Sequence, residues 1–217
     1  MIRFQNVSKY FKTQSHKKII LDRVSIEFER GYSYGILGVN GAGKSTTMRM
    51  IAGTVLPNSG RISKSVRVSW PLGFAGGFNA QMTGKENLNF VARAYGENAQ
   101  RVSRFVEEFA ELGDYINAPV RTYSSGMSAR LAFGLSMAIE FECYLVDEVT
   151  AVGDARFQQR CKEAFNSRRK NSDIIMVSHA METIKDYCER AVLLVDGRMM
   201  YYDDVERAIE AYYRLNR

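Results

Sequence analysis

The stretch GVNGAGKST, Gly38 to Thr46, constrains the fold of this chain more than any other. It follows the short apolar run YSYGIL and opens a segment, Lys44 to Ala52, that reads as a helix stopped by Gly53 and then Pro57. Gly38, Gly43, Lys44 and Ser45 fall on the spacing G-x-x-x-x-G-K-S/T. Glycines let a backbone wrap an anion, and successive N–H groups at a helix start form an anion nest. The expected phosphate-binding set is Gly38, Val39, Asn40, Gly41, Ala42, Gly43, Lys44, Ser45 and Thr46. Lys44 would reach the β- and γ-phosphates of a nucleotide, and the Ser45 hydroxyl would be a ligand for Mg2+.

A strand–loop–helix unit of this kind needs a parallel sheet around it, and the remaining pattern supplies one. CYLVDE and DIIMVSH read as short buried strands separated by a helix from about Ala155 to Arg169. Upstream, IRFQNV and ILDRVSIEFE read as strands, the second alternating at Val24, Ile26 and Phe28. GRI and VRVSWPL are short strands, and a hairpin is expected around Asp196-Gly197 before a last helix from Val205. From Thr83 to about Gly113 the pattern is helical, opened by a T-x-x-E capping box at Thr83 and Glu86, and a helix from Ser125 to Ile139 follows. The expectation is a mostly parallel α/β core with an antiparallel β region and a helical subdomain over about 83–140, all in one domain of 217 residues.

Further residues carry chemistry. Asp147 and Glu148 end a buried strand, where side chains alternate in direction, so the two carboxylates suit two tasks. Asp147 would orient Mg2+ and Glu148 would polarise an attacking water. His179 ends the next strand, at the sheet edge where α/β proteins bind ligands, and is placed to sense a γ-phosphate. One of the adjacent aromatics in VSKYF, Phe11 in preference to Tyr10, would stack on a base. Ser124, Ser125 and Gly126 stand before another apolar helix and form a second anion site, whose purpose the first loop leaves unexplained.

Bulk composition excludes more than it specifies. The chain is 46% hydrophobic and 25% charged, an ordinary globular balance. No apolar run is long enough to cross a bilayer, and the N-terminal MIRFQNVSKY lacks the apolar core of a secretory signal. The three cysteines, Cys143, Cys161 and Cys188, have no metal or redox spacing and read as buried thiols. The net charge of +6 is spread in short runs such as Lys17-Lys18 and Arg168-Arg169-Lys170, which read as solvated faces.

These motifs in this order resemble the nucleotide-binding subunits of ABC transporters, over essentially the whole chain. GVNGAGKS resembles Walker A, YLVDE Walker B, YSSGM a divergent signature, AVGD (Ala151 to Asp154) the D-loop, and His179 the switch histidine. Phe11 matches the adenine-stacking aromatic. The resemblance implies an ATPase that binds ATP and Mg2+ in a head-to-tail homodimer. Ser124, Ser125, Gly126 and Met127 of one copy would then face the ATP of the other, with Asp154 close by, which gives the second anion site its purpose. The glutamine that usually precedes the helical subdomain is not in its usual place in FAGGFNAQMTG: Gln81 comes late, and Asn79 or a water is the expected substitute. Phe78 in that glycine-rich loop reads as an exposed aromatic.

The phrases SWPLGFAGGFNAQMTGKENLNFVARAYG and VDEVTAVGDARFQQRC resemble ATP-binding subunits of capsular polysaccharide exporters of the polysialic-acid type. O-antigen and teichoic-acid exporters are the nearest rivals; a chain stopping at Arg217 favours the capsule group. The implied partners are a second copy, an integral-membrane permease, further envelope export proteins and, indirectly, an acidic polysaccharide. The implied location is the cytoplasmic face of the bacterial inner membrane. A soluble ABC ATPase acting on nucleic acid or the ribosome is disfavoured, because translation-type members carry two cassettes and chromosome-type members long coiled-coil insertions.

Overall fold

The computed structural model describes residues 1–12, 16–72, 75–147, 153–178 and 180–215. The chain forms two compact units: Met1–Pro71 with Phe141–Val149 and Asn171–Arg217, and Leu72–Glu140 with Thr150–Lys170.

Among the described residues, the first unit holds every strand. β1 (Ile2–Lys12), β2 (Lys17–Phe28) and β4 (Ser59–Lys64) make an antiparallel sheet of order β2-β1-β4. The second sheet runs β5-β6-β7-β3-β8-β9, from β5 (Val68–Pro71), β6 (Cys143–Asp147), β7 (Asp173–Val177), β3 (Tyr34–Leu37), β8 (Arg190–Val195) and β9 (Arg198–Tyr202). All its neighbours pair in parallel except the β8–β9 hairpin. β3 is buried along its whole length and β6 at all but its last residue, as expected of parallel strands covered on both faces. The hairpin turns at Asp196 and Gly197, both with positive φ (47° and 77°), which suits the right-handed twist of its strands. A single apolar core containing Phe4, Phe28, Tyr34, Met48, Leu145 and Val192 joins the two sheets. Helices α1 (Lys44–Ala52), α6 (Met181–Tyr187) and α7 (Val205–Leu215) complete this unit.

The antiparallel strands are longer than their apolar patterns predict. β1 continues past Val7 to Lys12, and β2 begins at Lys17 rather than Ile20. A cross-strand contact supplies the reason: the Lys17 ammonium of β2 lies 4.2 Å from the centroid of Tyr10 of β1, while within β1 Lys9 lies 5.0 Å from that of Phe11. Cation–aromatic pairs of this kind hold polar strand ends together where no apolar alternation does. The extension sets Phe11 directly opposite Lys18.

The second unit is helical: α2 (Gly84–Ala94), α3 (Ala99–Ala110), α4 (Ser125–Ala138) and α5 (Ala155–Arg169). The capping box is present. Glu86 N–H donates to the Thr83 hydroxyl at 3.1 Å, and Thr83 N–H to the Glu86 carboxylate at 2.8 Å. The helical stretch predicted after Thr83 is two helices, broken at Gly96 and restarted by Asn98, whose side chain accepts from Arg101 N–H at 2.9 Å. α4 is the central helix of the unit, buried continuously from Leu131 to Ala138. The loop before α2 is organised by buried Asn87, which accepts from Asn79 N–H at 2.8 Å and donates to Asn79 O at 3.0 Å. The Asn79 side chain accepts from Gln81 N–H at 3.0 Å, so it closes the turn locally, and Gln81 is exposed. Phe78, expected to be exposed, is half-buried.

All three cysteines are free and buried, as the sequence suggested. Burial pushes the thiols of Cys143 and Cys161 up to about 12, which keeps them protonated and unreactive. Thr83→Ala removes one half of the capping box and is expected to cost about 1 kcal/mol of stability, read by urea denaturation; a midpoint equal to that of the parent chain would contradict the capping role.

Candidate functional site

The loop between β3 and α1 has its shape because two of its glycines cannot be anything else. Gly38 has φ +153°, and a Cβ there would lie 2.6 Å from the carbonyl oxygen of Leu194. Gly43 has φ +108°, and its Cβ would lie 2.4 Å from the Cγ2 methyl of Ile20. α1 starts at Lys44, immediately after Gly43, so its free N–H groups open onto the loop. Lys44 is only 7% exposed, and its ammonium donates to Gly38 O at 2.7 Å and Val39 O at 3.1 Å. A buried charge is tolerated where carbonyl oxygens receive it. The loop therefore holds a cation and a helix N-terminus in one hollow, an arrangement that attracts anions.

A cleft of about 360 Å³ opens there. Its lining combines the predicted Asn40, Gly41, Gly43, Lys44, Ser45 and Thr46 with Phe11 from β1 and Asp147 from the end of β6. Ser45 is exposed and Asp147 half-buried. Phe11 is 47% exposed on the cleft wall, whereas the Tyr10 ring is engaged by Lys17 and Lys12. Of the two aromatics left open by VSKYF, the structure brings Phe11 to the loop. Gly38, Val39 and Ala42 line an adjoining hollow of about 460 Å³ on the other side of the loop. Glu148 and His179, and Ala151 and Val152 of AVGD, lie outside the described residues.

Three lining residues escaped sequence reasoning: Lys18, Ile20 and Val177. Lys17-Lys18 reads as a solvated pair, yet adjacent strand residues face opposite ways, and only the register to Phe11 shows which lysine meets the loop.

The remaining predicted residues belong to the second unit. Ser124 is the N-cap of α4, its hydroxyl accepting from Met127 N–H at 3.2 Å. Ser125 is the first helical residue and is exposed; the cap is Ser124. A Cβ on Gly126 would meet only the Ser124 hydroxyl, at 3.8 Å, so this helix start is sterically open. Asp154 is the N-cap of α5, accepting from Phe157 N–H at 2.9 Å, and pairs with Arg130 of α4 at 2.7 Å. Arg130 also stacks on Phe157, 4.5 Å from the ring centroid, so one side chain ties the α4 helix to the start of α5.

The Phe157 N–H, and then the Arg130 guanidinium, hold the Asp154 carboxyl below the usual carboxylate range. A carboxylate depressed in the folded state stabilises the fold above its unfolded pKa, and that contribution is lost as pH falls through the folded value. Asp154→Asn keeps a capping oxygen and removes the charge, so its melting temperature is expected to fall less steeply than the parent's on acidification. Gly43→Ala is expected to cost about 1–3 kcal/mol in denaturant titration without nucleotide, because it adds left-handed strain and a steric clash; an unchanged midpoint would mean that the loop is not constrained as described.

Comparison with known proteins agrees with this geometry. The ABC transporter family profile matches residues 21–151, more than half of the chain. The ATP-binding protein BexA of Haemophilus influenzae is 48% identical over 98% of this chain and 98% of its own length. The capsule polysaccharide export ATP-binding protein CtrD of Neisseria meningitidis serogroup B is 46% identical over 99% of this chain and 100% of that protein. The polysialic acid transport ATP-binding protein KpsT of Escherichia coli is 46% identical over 98% and 96%. In fold, the dimeric ATP-binding cassette MJ0796, solved with ADP and Pi, gives a TM-score of 0.75 over 94% of this chain and 99% of that one, at 18% identity. This chain belongs to the ABC transporter family.

Proposed function

We propose that this chain is the ATP-hydrolysing motor subunit of an ABC transporter that exports capsular polysaccharide across the bacterial inner membrane. The observation that carries the reading is the single cleft that gathers Phe11, the loop with Lys44, Ser45 and Asp147. Near-full-length similarity to BexA, CtrD and KpsT supports the transport role. Phe11 stacks on the base, while the loop N–H groups and Lys44 receive the phosphates. Ser45 and Asp147 would hold Mg2+, which when bound neutralises phosphate charge. The donor set fits that ion. Among the described residues no group of three or more His, Cys, Asp or Glu side chains is placed to hold a metal ion by itself. Mg2+ suits such a site, because it keeps waters and takes one or two protein ligands beside substrate phosphates.

Glu148, next to Asp147 in the chain, polarises the attacking water, and His179, beyond β7, senses the γ-phosphate. Hydrolysis needs a second copy. The open N-terminus of α4, with Ser124, Ser125, Gly126 and Met127, faces the ATP held by the partner's loop, and Asp154 lies at the same head-to-tail interface. ATP binding closes this homodimer and hydrolysis reopens it, which turns phosphate chemistry into motion of a permease. The two compact units thus work as one ATPase domain. Among the described residues no helix is long and apolar enough to cross a membrane. In this reading, which the similarity to transporter ATP-binding subunits supports, the chain docks peripherally, on the cytoplasmic face, against an integral-membrane partner, with further envelope export proteins beyond it. The acidic polysaccharide is an indirect substrate.

The test is an affinity capture of the Glu148→Gln variant with Mg-ATP from detergent-solubilised membranes. A co-purifying integral-membrane protein in equal amount is expected, together with an ATPase activity of the assembled complex that the variant loses. Capture of ribosomes or nucleic acid in place of a membrane protein would overturn the transport reading.

A further inference from the structure

We infer that Lys18 is a second cation of the nucleotide site, acting with Lys44 to bind the phosphate chain of a nucleoside di- or triphosphate. The inference rests on the cleft being the nucleotide site.

The four lysines near the end of β1 and the start of β2 have different neighbours. Lys9 donates to Leu56 O at 2.8 Å and lies over Phe11, while Lys12 and Lys17 lie over Tyr10. Lys18 is exposed, and among the described residues its ammonium makes no hydrogen bond or ion pair. It lines both hollows that flank the loop. A Cβ built on Gly41, in the middle of that loop, would come 3.5 Å from the Lys18 ammonium. Pairing with Phe11 fixes this direction: the residue opposite the base-stacking ring points over the loop, and its neighbour Lys17 points away to Tyr10. Two carboxylates, Asp147 and Asp196, share the hollows with Lys18, and neither is paired with it.

The two lysines play different parts. Lys44 is buried and its ammonium is already held by two loop carbonyls, so it serves as a pre-placed charge. Lys18 is an exposed ammonium with its donors free on a long side chain, suited to follow a flexible phosphate chain running from Phe11 toward the loop. Its contribution is electrostatic and therefore sensitive to salt.

The experiment is calorimetric titration of the full chain with ATP, ADP and adenosine at low and high salt. The set comprises the parent, Lys18→Gln, Lys18→Arg, Lys17→Gln and Lys44→Ala. Lys18→Gln is expected to weaken ATP and ADP by about three- to tenfold, to leave adenosine unaltered and to flatten the salt dependence. Lys18→Arg should retain the affinity. Lys17→Gln, which removes the same charge one residue away, should bind as the parent does. ATP binding by Lys18→Gln equal to the parent's overturns the proposal. So does an equal loss for adenosine, or an equal loss in Lys17→Gln, which would assign the effect to the base or to the bulk field. If Lys44→Ala also leaves ATP affinity unchanged, the cleft is not the nucleotide site and the wider reading falls with this one.

Discussion

The parallel pairing of β6, β7 and β3 is the constraint from which the site follows. Parallel neighbours end on the same side of a sheet, so the loop after Leu37, Asp147 at the end of β6 and Val177 at the end of β7 are delivered to one edge. None of these segments is near another in sequence. Long-range pairings of β3 with β7 and β8, and burial of both sheet faces, convert separated motifs into one cleft.

Within that frame, electrostatics and sterics act together. The buried Lys44 ammonium and the start of α1 make the loop electropositive, and the carbonyls of Gly38 and Val39 make the buried charge tolerable. The same backbone is pressed against Leu194 and Ile20, with no room for a side chain at Gly38 or Gly43. The loop is thus held in shape by β8 and β2 before any ligand arrives. Preorganisation of this kind lets binding energy go to the phosphates and not to ordering the loop.

The helical unit applies the same terminal chemistry to other ends. Ser124 caps α4 and Asp154 caps α5, and Arg130, within α4, ties that helix to the start of α5 through an ion pair with Asp154 and a ring contact with Phe157. The first residues of α4 are small: Ser125 is exposed, and Gly126, half-buried, brings no side chain to crowd the helix start. α4 thus changes character along its length: a capped, uncrowded start at Ser124 to Met127 gives way to a core segment buried from Leu131 to Ala138.

Local chemistry was legible in the sequence wherever a residue type has only one good use. The start of α1 at Lys44, the capping box at Thr83 and Glu86, the turn at Asp196-Gly197 and the loop glycines are each dictated by capping, backbone φ or close approach over a few residues. What only the tertiary structure decided is which distant side chains meet. β1 and β2 run beyond their apolar patterns where Lys17 of β2 stacks across on Tyr10 of β1, and no periodicity encodes that pairing. Its register chooses Phe11 over Tyr10 for the cleft and Lys18 over Lys17 for the loop, since a shift of one residue in a strand exchanges the two faces. Sequence by itself determined the family of chemistry, because phosphate binding needs a short contiguous loop. The walls of the site were left to the fold, because strand pairing is set by contacts between segments far apart in the chain.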